Sequence, residues 1–223
     1  MVVQLVRPPT LAAAAVDSIR EAILRGDLPL GAPLREIELG RSLEVSRGTV
    51  REALRKLEEE GLVEVIPHRG AFVTQLQPQK VREIYTLRAL LEPYAVRLAM
   101  EKRAYSTADL RSFEELLDRI GELERQGLAY EVVRTDAQFH LALAEKSGHQ
   151  LLLEVLRNLQ SKTTLVMLKV ELYRTDRTPE VELHRTVLEA IRASDPLLAE
   201  DVIRRHIVES GDRLLQRMEA GPV

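Results

Sequence analysis

From residue 79 to residue 219, apolar residues return every three or four positions with almost no break. That pattern commits this part of the chain to helices. Six stretches are predicted. The first is 79–103, with Pro93 expected to kink it. The second is 107–126, opened by Ser106-Thr107-Ala108-Asp109, a capping-box start with Asp in place of Glu or Gln. The third is 129–147, stopped at Gly148, and the fourth is 149–173. The fifth is 179–193, with Thr178 as N-cap and Pro179 at the first helical position; the sixth is 196–219, started by Asp195-Pro196 in the same way. Long amphipathic helices on short loops pack as an antiparallel bundle, here of six or seven helices. The residue supply agrees: with no Trp, 3 Phe and 5 Tyr, the core must be built from Leu, Ala, Val and Ile.

The first 75 residues have another texture. Val16, Ile19 and Ile23 mark a helix over about 10–25, ended by Gly26 and Pro29. Gly31-Ala32-Pro33 reads as a loop, and Glu36–Leu43 as a short helix with a tight connection at Glu44-Val45. Ser46 is a good N-cap for a helix over about 47–60 whose apolar face is Val50, Leu54 and Leu57, with Gly61 placed to end it. The β-rich runs Leu62–Ile66 and Ala71–Thr74 flank Pro67-His68-Arg69-Gly70 and read as a hairpin. Three helices and a hairpin in this order make a winged helix-turn-helix. The expected fold is therefore mainly α: a winged domain at 1–75, a linker at 76–80, and an all-helical domain at 81–223.

The chain has no Cys, which excludes disulfides, thiolate metal sites, iron–sulfur clusters and a Cys nucleophile. No apolar run approaches the ~18–20 residues of a membrane span, so no membrane partner is expected. The run Leu11–Val16 is interrupted at once by Asp17 and Arg20, too soon for a signal peptide, and a cytoplasmic location is expected. A net charge of −3 gives no global pull toward nucleic acid, so any such attraction must come from a local patch.

Such a patch exists. Arg47, Arg51 and Arg55 are four residues apart and share one helix face, opposite the apolar one. Glu58-Glu59-Glu60 confine the positive charge to the front of the helix. A helix entering the major groove reads base edges with its N-terminal residues, and Arg pairs bidentately with guanine. His68, Arg69 and Gly70 sit at the hairpin tip, within reach of a neighbouring minor groove or backbone. From spacing alone, the same residues also fit a solvated charged helix beside an ordinary hairpin.

The run Leu43-Glu44-Val45-Ser46-Arg47-Gly48-Thr49-Val50-Arg51-Glu52-Ala53-Leu54-Arg55-Lys56-Leu57, followed by Glu60-Gly61-Leu62-Val63 and Arg69-Gly70-Ala71-Phe72-Val73, resembles the GntR family of bacterial transcription factors over about residues 11–75. The resemblance implies that Arg47 and Arg51 contact operator DNA and that Gly70 enters the minor groove. Ser46 and Thr49 follow as further contacts, although Gly48-Thr49 replaces the Thr-Pro pair frequent in related members.

In the helical half, three His interrupt apolar stripes. His140 shares a face with Val133, Asp136, Ala137 and Ala144; His184 with Val181, Leu188 and Ile191; His206 with Val202, Ile203, Ser210 and Leu214. A lone His so placed is usually a hydrogen-bonded core residue. Three on three helices, with Asp136 one turn before His140, also suit a divalent cation such as Zn, Ni, Fe or Mn. His149, at a helix start, reads as a cap or surface residue. Arg88 points inward with Val81, Ile84, Tyr85, Leu91 and Ala95, either paired with Glu92 or another acid, or clamping a ligand carboxylate.

Asp136-Ala137-Gln138-Phe139-His140, His184 to Ile191 and Arg205-His206-Ile207 resemble the metal-binding positions of the FCD domain, which defines the FadR subfamily of GntR regulators. The resemblance covers most of residues 79–218. It implies a cation held by Asp136, His140, His184 and His206, with the remaining positions left for water or an effector carboxylate, and Arg88 as an effector contact. The expected function is a ligand-responsive regulator, a repressor by the commoner family logic, binding palindromic double-stranded operator DNA as a homodimer and released by a small organic acid. Two other readings stay open: a regulator that answers to the metal alone, and a metal-dependent hydrolase with a DNA-binding appendage. Against an enzyme, the chain has no HExxH, Gly-x-Ser-x-Gly or P-loop pattern.

Overall fold

The structure is a computed structural model that describes residues 10–75, 77–171 and 181–219, without the side chains of 169–171. The chain divides into two compact units, Met1–Gln75 and Leu76–Val223.

In the first unit, α1 (Leu11–Arg25) begins where Thr10 Oγ1 accepts the Ala13 amide at 3.1 Å. β1 (Pro33–Leu34), α2 (Glu36–Ser42), α3 (Arg47–Glu59), β2 (Val63–Ile66) and β3 (Gly70–Val73) follow. Ser46 caps α3, its Oγ accepting the Thr49 amide at 3.1 Å. α3 ends as Gly61 and Leu62 return their amides to the Glu58 and Leu57 carbonyls, both at 2.9 Å. Val50, Ala53, Leu54 and Leu57 are buried against α1, whose Ile19 and Ile23 face them. Arg20 locks the pair by a two-pronged bond to Glu60, at 3.0 and 2.8 Å.

The sheet corrects one expectation. Pro33, expected in a loop, forms a two-residue strand with Leu34, and the antiparallel order is β1-β3-β2. Two residues are too few to show a period of two, and a proline is tolerated at a sheet edge. The neighbouring bonds Val73 N to Ala32 O and Gly31 N to Val73 O, both 2.9 Å, hold the strand in place. At the other end of the hairpin, Gly70 has a φ of 101°, and an added Cβ would meet nothing within 4 Å. Glycine is needed there for its backbone angle, not for want of space.

The second unit holds the six expected helices: α4 (Pro78–Glu101), α5 (Thr107–Gln126), α6 (Ala129–Glu145), α7 (Gln150–Glu171), α8 (Val181–Arg192) and α9 (Pro196–Glu219). Thr178 and Pro179 lie outside the described residues, as does the expected end of the fourth helix beyond residue 171. Ser106 and Asp109 form the complete capping box. Asp195 Oδ1 accepts the Leu197 and Leu198 amides, at 3.0 and 3.1 Å, at the start of α9. His149 caps α7, with Nδ1 accepting the Leu152 amide at 3.3 Å.

α4 is a single helix through Pro93. A proline inside a helix leaves the carbonyl four residues back without its donor. That carbonyl belongs to Ala89, and Arg204 of α9 donates to it through Nη1 at 3.0 Å. α4 and α9 form the most extensive helix pair. They approach so closely at Gly211 that an added Cβ would lie 2.7 Å from Tyr85 Cδ1 and 2.8 Å from its Cγ. Gly211→Ala is expected to cost about 1–3 kcal/mol by overpacking. In a thermal melt this reads as a fall of about 2–4 °C per kcal/mol. An unchanged melting temperature would mean that the ring moves aside freely.

Candidate functional site

Three helices aim imidazoles at one point in the second unit. His140 comes from α6, His184 from α8 and His206 from α9, and all three are buried. One ligand nitrogen from each lies within 4.8 Å of the other two. His140 Nε2 and His206 Nε2 are 3.3 Å apart. Two nitrogens bound to one ion at about 2.1 Å would stand about 3.0–3.4 Å apart. Asp136, one turn before His140, sits to one side of this group. Its Oδ1 is 2.7 Å from His184 Nε2 and 3.8 Å from His140 Nε2. Phe139 packs edge-on against both His140 and His184, at 5.7 and 5.2 Å between ring centres, which fixes the rings from the apolar side.

The donor set fits a cation. His140 Nδ1 lies 2.8 Å from Glu92 Oε2. A neutral His140 that donates this proton keeps only a lone pair at Nε2, turned toward the other rings. His206 Nδ1 is buried without a hydrogen-bond partner among the described residues. Leaving such a group unpaired costs about 1–3 kcal/mol.

Glu92 is the residue that the sequence reading did not place in the site. Its second oxygen accepts Arg88 Nε at 2.5 Å, and both side chains are buried. Arg88 also lies over the Tyr85 ring, 5.1 Å from its centre. A continuous chain of contacts thus runs from Arg88 through Glu92 to His140. The signal was present, since Glu92 follows Arg88 by one helical turn on the same inward face. What sequence could not show was that α6 brings His140 to the far oxygen.

The charges follow this geometry. Burial pushes the Glu92 carboxyl up, but Arg88 and then His140 outweigh it and hold it at about 2. For Asp136, burial is again opposed, by the charge of His140, the hydrogen bond from His184 and the charges of His184 and His206, and the carboxyl lies below its ordinary range. Arg88 is raised, burial notwithstanding, by Glu92 beside it. His206 is driven well below the ordinary imidazole value by burial first, then by His184 and His140. The low carboxyls and the low His206 imidazole both lie in the direction that favours a cation, whose ligands must be deprotonated.

The first unit presents the other candidate surface. Arg47, Arg51 and Arg55 are exposed on α3, and His68, Arg69 and Gly70 at the hairpin turn. His68 takes a φ of 63°, unusual for a residue with a side chain, and the Arg69 guanidinium lies 5.5 Å from the Phe72 ring centre. Ser46 Oγ and Thr49 Oγ1 are 2.8 Å apart. Sequence pattern does not reveal Glu36, fifteen residues from Arg51. Glu36 accepts Arg51 Nε at 2.8 Å and Nη2 at 2.7 Å, and stands 3.6 Å from Arg47 Nη2. No local pattern links residues 36 and 51; the helix-turn-helix fold does. Among the described residues, no helix is long and apolar enough to cross a membrane.

Comparison with known proteins matches both units of the chain. The profile for bacterial regulatory proteins of the gntR family matches residues 11–73, and that of the FCD domain matches residues 83–209. The "Probable D-xylose utilization operon transcriptional repressor" of Paenarthrobacter nicotinovorans is 32% identical over 200 residues, covering 89% of this chain and 86% of that one. The Nta operon transcriptional regulator of Aminobacter aminovorans is 32% identical over 187 residues, covering 83% and 86%. A crystal structure of a GntR-type regulator from Rhodococcus sp. RHA1 superposes with a TM-score of 0.79 at 26% identity, covering 92% of this chain and 97% of that one.

Proposed function

The chain belongs to the GntR family, is a DNA-binding transcriptional regulator with an FCD domain, and on that premise we propose that it is a repressor released by a small carboxylate bound at a metal in the helical unit. Its matched domains and relatives are those of regulators, not of enzymes. In this reading residues 1–75 bind DNA, 76–80 link, and 81–223 bind effector and a second copy, in the cytoplasm.

The observation that carries the metal is the convergence of three buried imidazole nitrogens within 4.8 Å. His140, His184 and His206 would hold the ion with Asp136. A three-His, one-carboxylate set suits Zn, Ni, Fe or Mn. Bound there, the cation would offer its remaining positions to an effector carboxylate. Arg88, whose Nη atoms have no hydrogen bond among the described residues, would add a cationic contact. The repressor sense takes support from the printed name of the relative in Paenarthrobacter nicotinovorans.

On the DNA side, Arg47 and Arg51 would face base edges from α3, with Ser46 and Thr49 beside them. His68, Arg69 and Gly70 would reach the adjacent groove from the hairpin. Homodimerisation takes support from Leu87, Leu90 and Tyr94, large exposed apolar residues at i, i+3 and i+7 on α4. A dimer of this kind reads a palindrome.

Arg51→Ala is expected to weaken operator binding by about 1–3 kcal/mol and to relax base preference at one position per half-site. The decisive experiment titrates DNA binding in buffered divalent metal, with and without a panel of small carboxylic acids. The proposal expects an acid to weaken DNA binding only when metal is present. A response to metal without any acid would replace it by the metal-responsive reading.

A further inference from the structure

Glu36 is an acidic group at the front of a surface meant for a polyanion, where a carboxylate ordinarily weakens binding. It stands in the first turn of α2, where the helix N-terminus favours a negative charge. Of the Arg51 donors it takes Nε and one hydrogen of Nη2. Among the described residues Arg51 makes no other hydrogen bond. An arginine has two forks, one along Nε and Nη2 and one at the end of the group along Nη1 and Nη2. Glu36 fills the first, so the second is the one left pointing outward. That end fork is able to pair bidentately with guanine O6 and N7. The pair is solvent-exposed on the arginine side, and such pairs add little to folding stability. A stabilising role therefore does not account for it.

We propose that Glu36 is a specificity-determining positioning residue: by holding Arg51 along its side fork and sharing charge with Arg47, it presents the end fork to a base and withholds both arginines from indiscriminate phosphate contact. This rests on the DNA-reading role of Arg51 argued above. A free arginine swings to whichever phosphate is near, which raises affinity for every sequence alike. A braced one keeps its base contact and loses much of that general grip. Glu36 thus exchanges general affinity for discrimination.

The test uses the full chain, a duplex recovered by selection from random sequence on the unmutated protein, and a scrambled duplex of equal length. Glu36→Ala and Glu36→Gln are measured on both across a salt series. Scrambled-duplex affinity should rise several-fold, with a salt slope steeper by about 0.9, the release of one more counterion. The ratio of selected to scrambled affinity should fall by about tenfold, within the range of one bidentate base contact. Glu36→Gln should behave like Glu36→Ala if charge is what matters. In an Arg51→Ala background the effect of Glu36→Ala on the ratio should shrink to the part carried by Arg47. A ratio that Glu36→Ala leaves unchanged, while Arg51→Ala alone lowers it, overturns the role of Glu36 and spares that of Arg51. A ratio unmoved by Arg51→Ala overturns both.

Discussion

His184→Ala is expected to take the proposed divalent metal from about one ion per chain to none, the largest single effect foreseen for this protein. The His184 ring has the least slack in the cluster. It is 1% exposed, lies 4.3 Å from the His206 ring centre, and has Nε2 2.7 Å from Asp136. Without it, two imidazoles and a displaced carboxylate remain, and the three-nitrogen group no longer exists. Elemental analysis of protein purified without chelators or metal-affinity resin reads the stoichiometry. Thermal melting supplies an independent measure. Metal at about a hundred times its dissociation constant adds about 2.7 kcal/mol to the folded state. At about 2–4 °C per kcal/mol, this should raise the unmutated protein's melting temperature by about 5–11 °C and leave His184→Ala unmoved. Because the comparison is between melts with and without metal, a general loss of packing does not imitate it. An equal metal shift in both proteins would remove His184 from the ligand set. No uptake from a full divalent panel by the unmutated chain would make the cluster a core network and detach the effector proposal from metal.

What the sequence made legible follows from the range of each interaction. Helix starts were readable because caps act over three residues: Ser46 with Thr49, Ser106 with Asp109 and Asp195 with Leu198 are all local. The inward direction of His140, His184 and His206 was readable because periodicity fixes a face. Their convergence was readable only as a reason to expect a cation, since nothing local states the distance between three helices. The misses are non-local. Pro33-Leu34 gains its strand character from Phe72 and Ala71, almost forty residues away. Glu36 meets Arg51 across the helix-turn-helix, and Glu92 meets His140 across the bundle. Glu36 is absent from the sequence pattern and Glu92 enters it only as a partner of Arg88, yet each meets a residue already singled out. In each case the reading placed the cation or the imidazole and left open what holds it. Arg88 shows the consequence. Its pairing with Glu92 and its use as a ligand clamp are alternatives from sequence. In the structure, the Glu92 that pairs with Arg88 also reaches His140, a candidate metal ligand.

That arrangement yields the second large effect. Glu92→Ala should destabilise the protein by about 3–5 kcal/mol, because it leaves the buried Arg88 guanidinium without its counter-charge. The melting temperature should fall by about 6–20 °C. The same change removes the acceptor at His140 Nδ1, and loss of such an outer partner lowers metal affinity about 10- to 100-fold. One variant cannot separate these losses, but a second can. Replacing the buried pair together, Arg88→Met with Glu92→Leu, removes both charges and fills the space with apolar groups, a change that is often neutral or stabilising. Stability should then return toward that of the unmutated chain. Metal affinity should remain as low as in Glu92→Ala, since His140 still lacks its acceptor. If metal affinity recovers along with stability, the link from Glu92 to His140 carries no function and the pair serves packing alone. If affinity stays low in a well-folded double variant, Glu92 orients the ligand. A carboxylate effector drawn to the Nη atoms of Arg88 would then share its guanidinium with Glu92, the partner of His140, giving effector binding a physical route to the proposed metal.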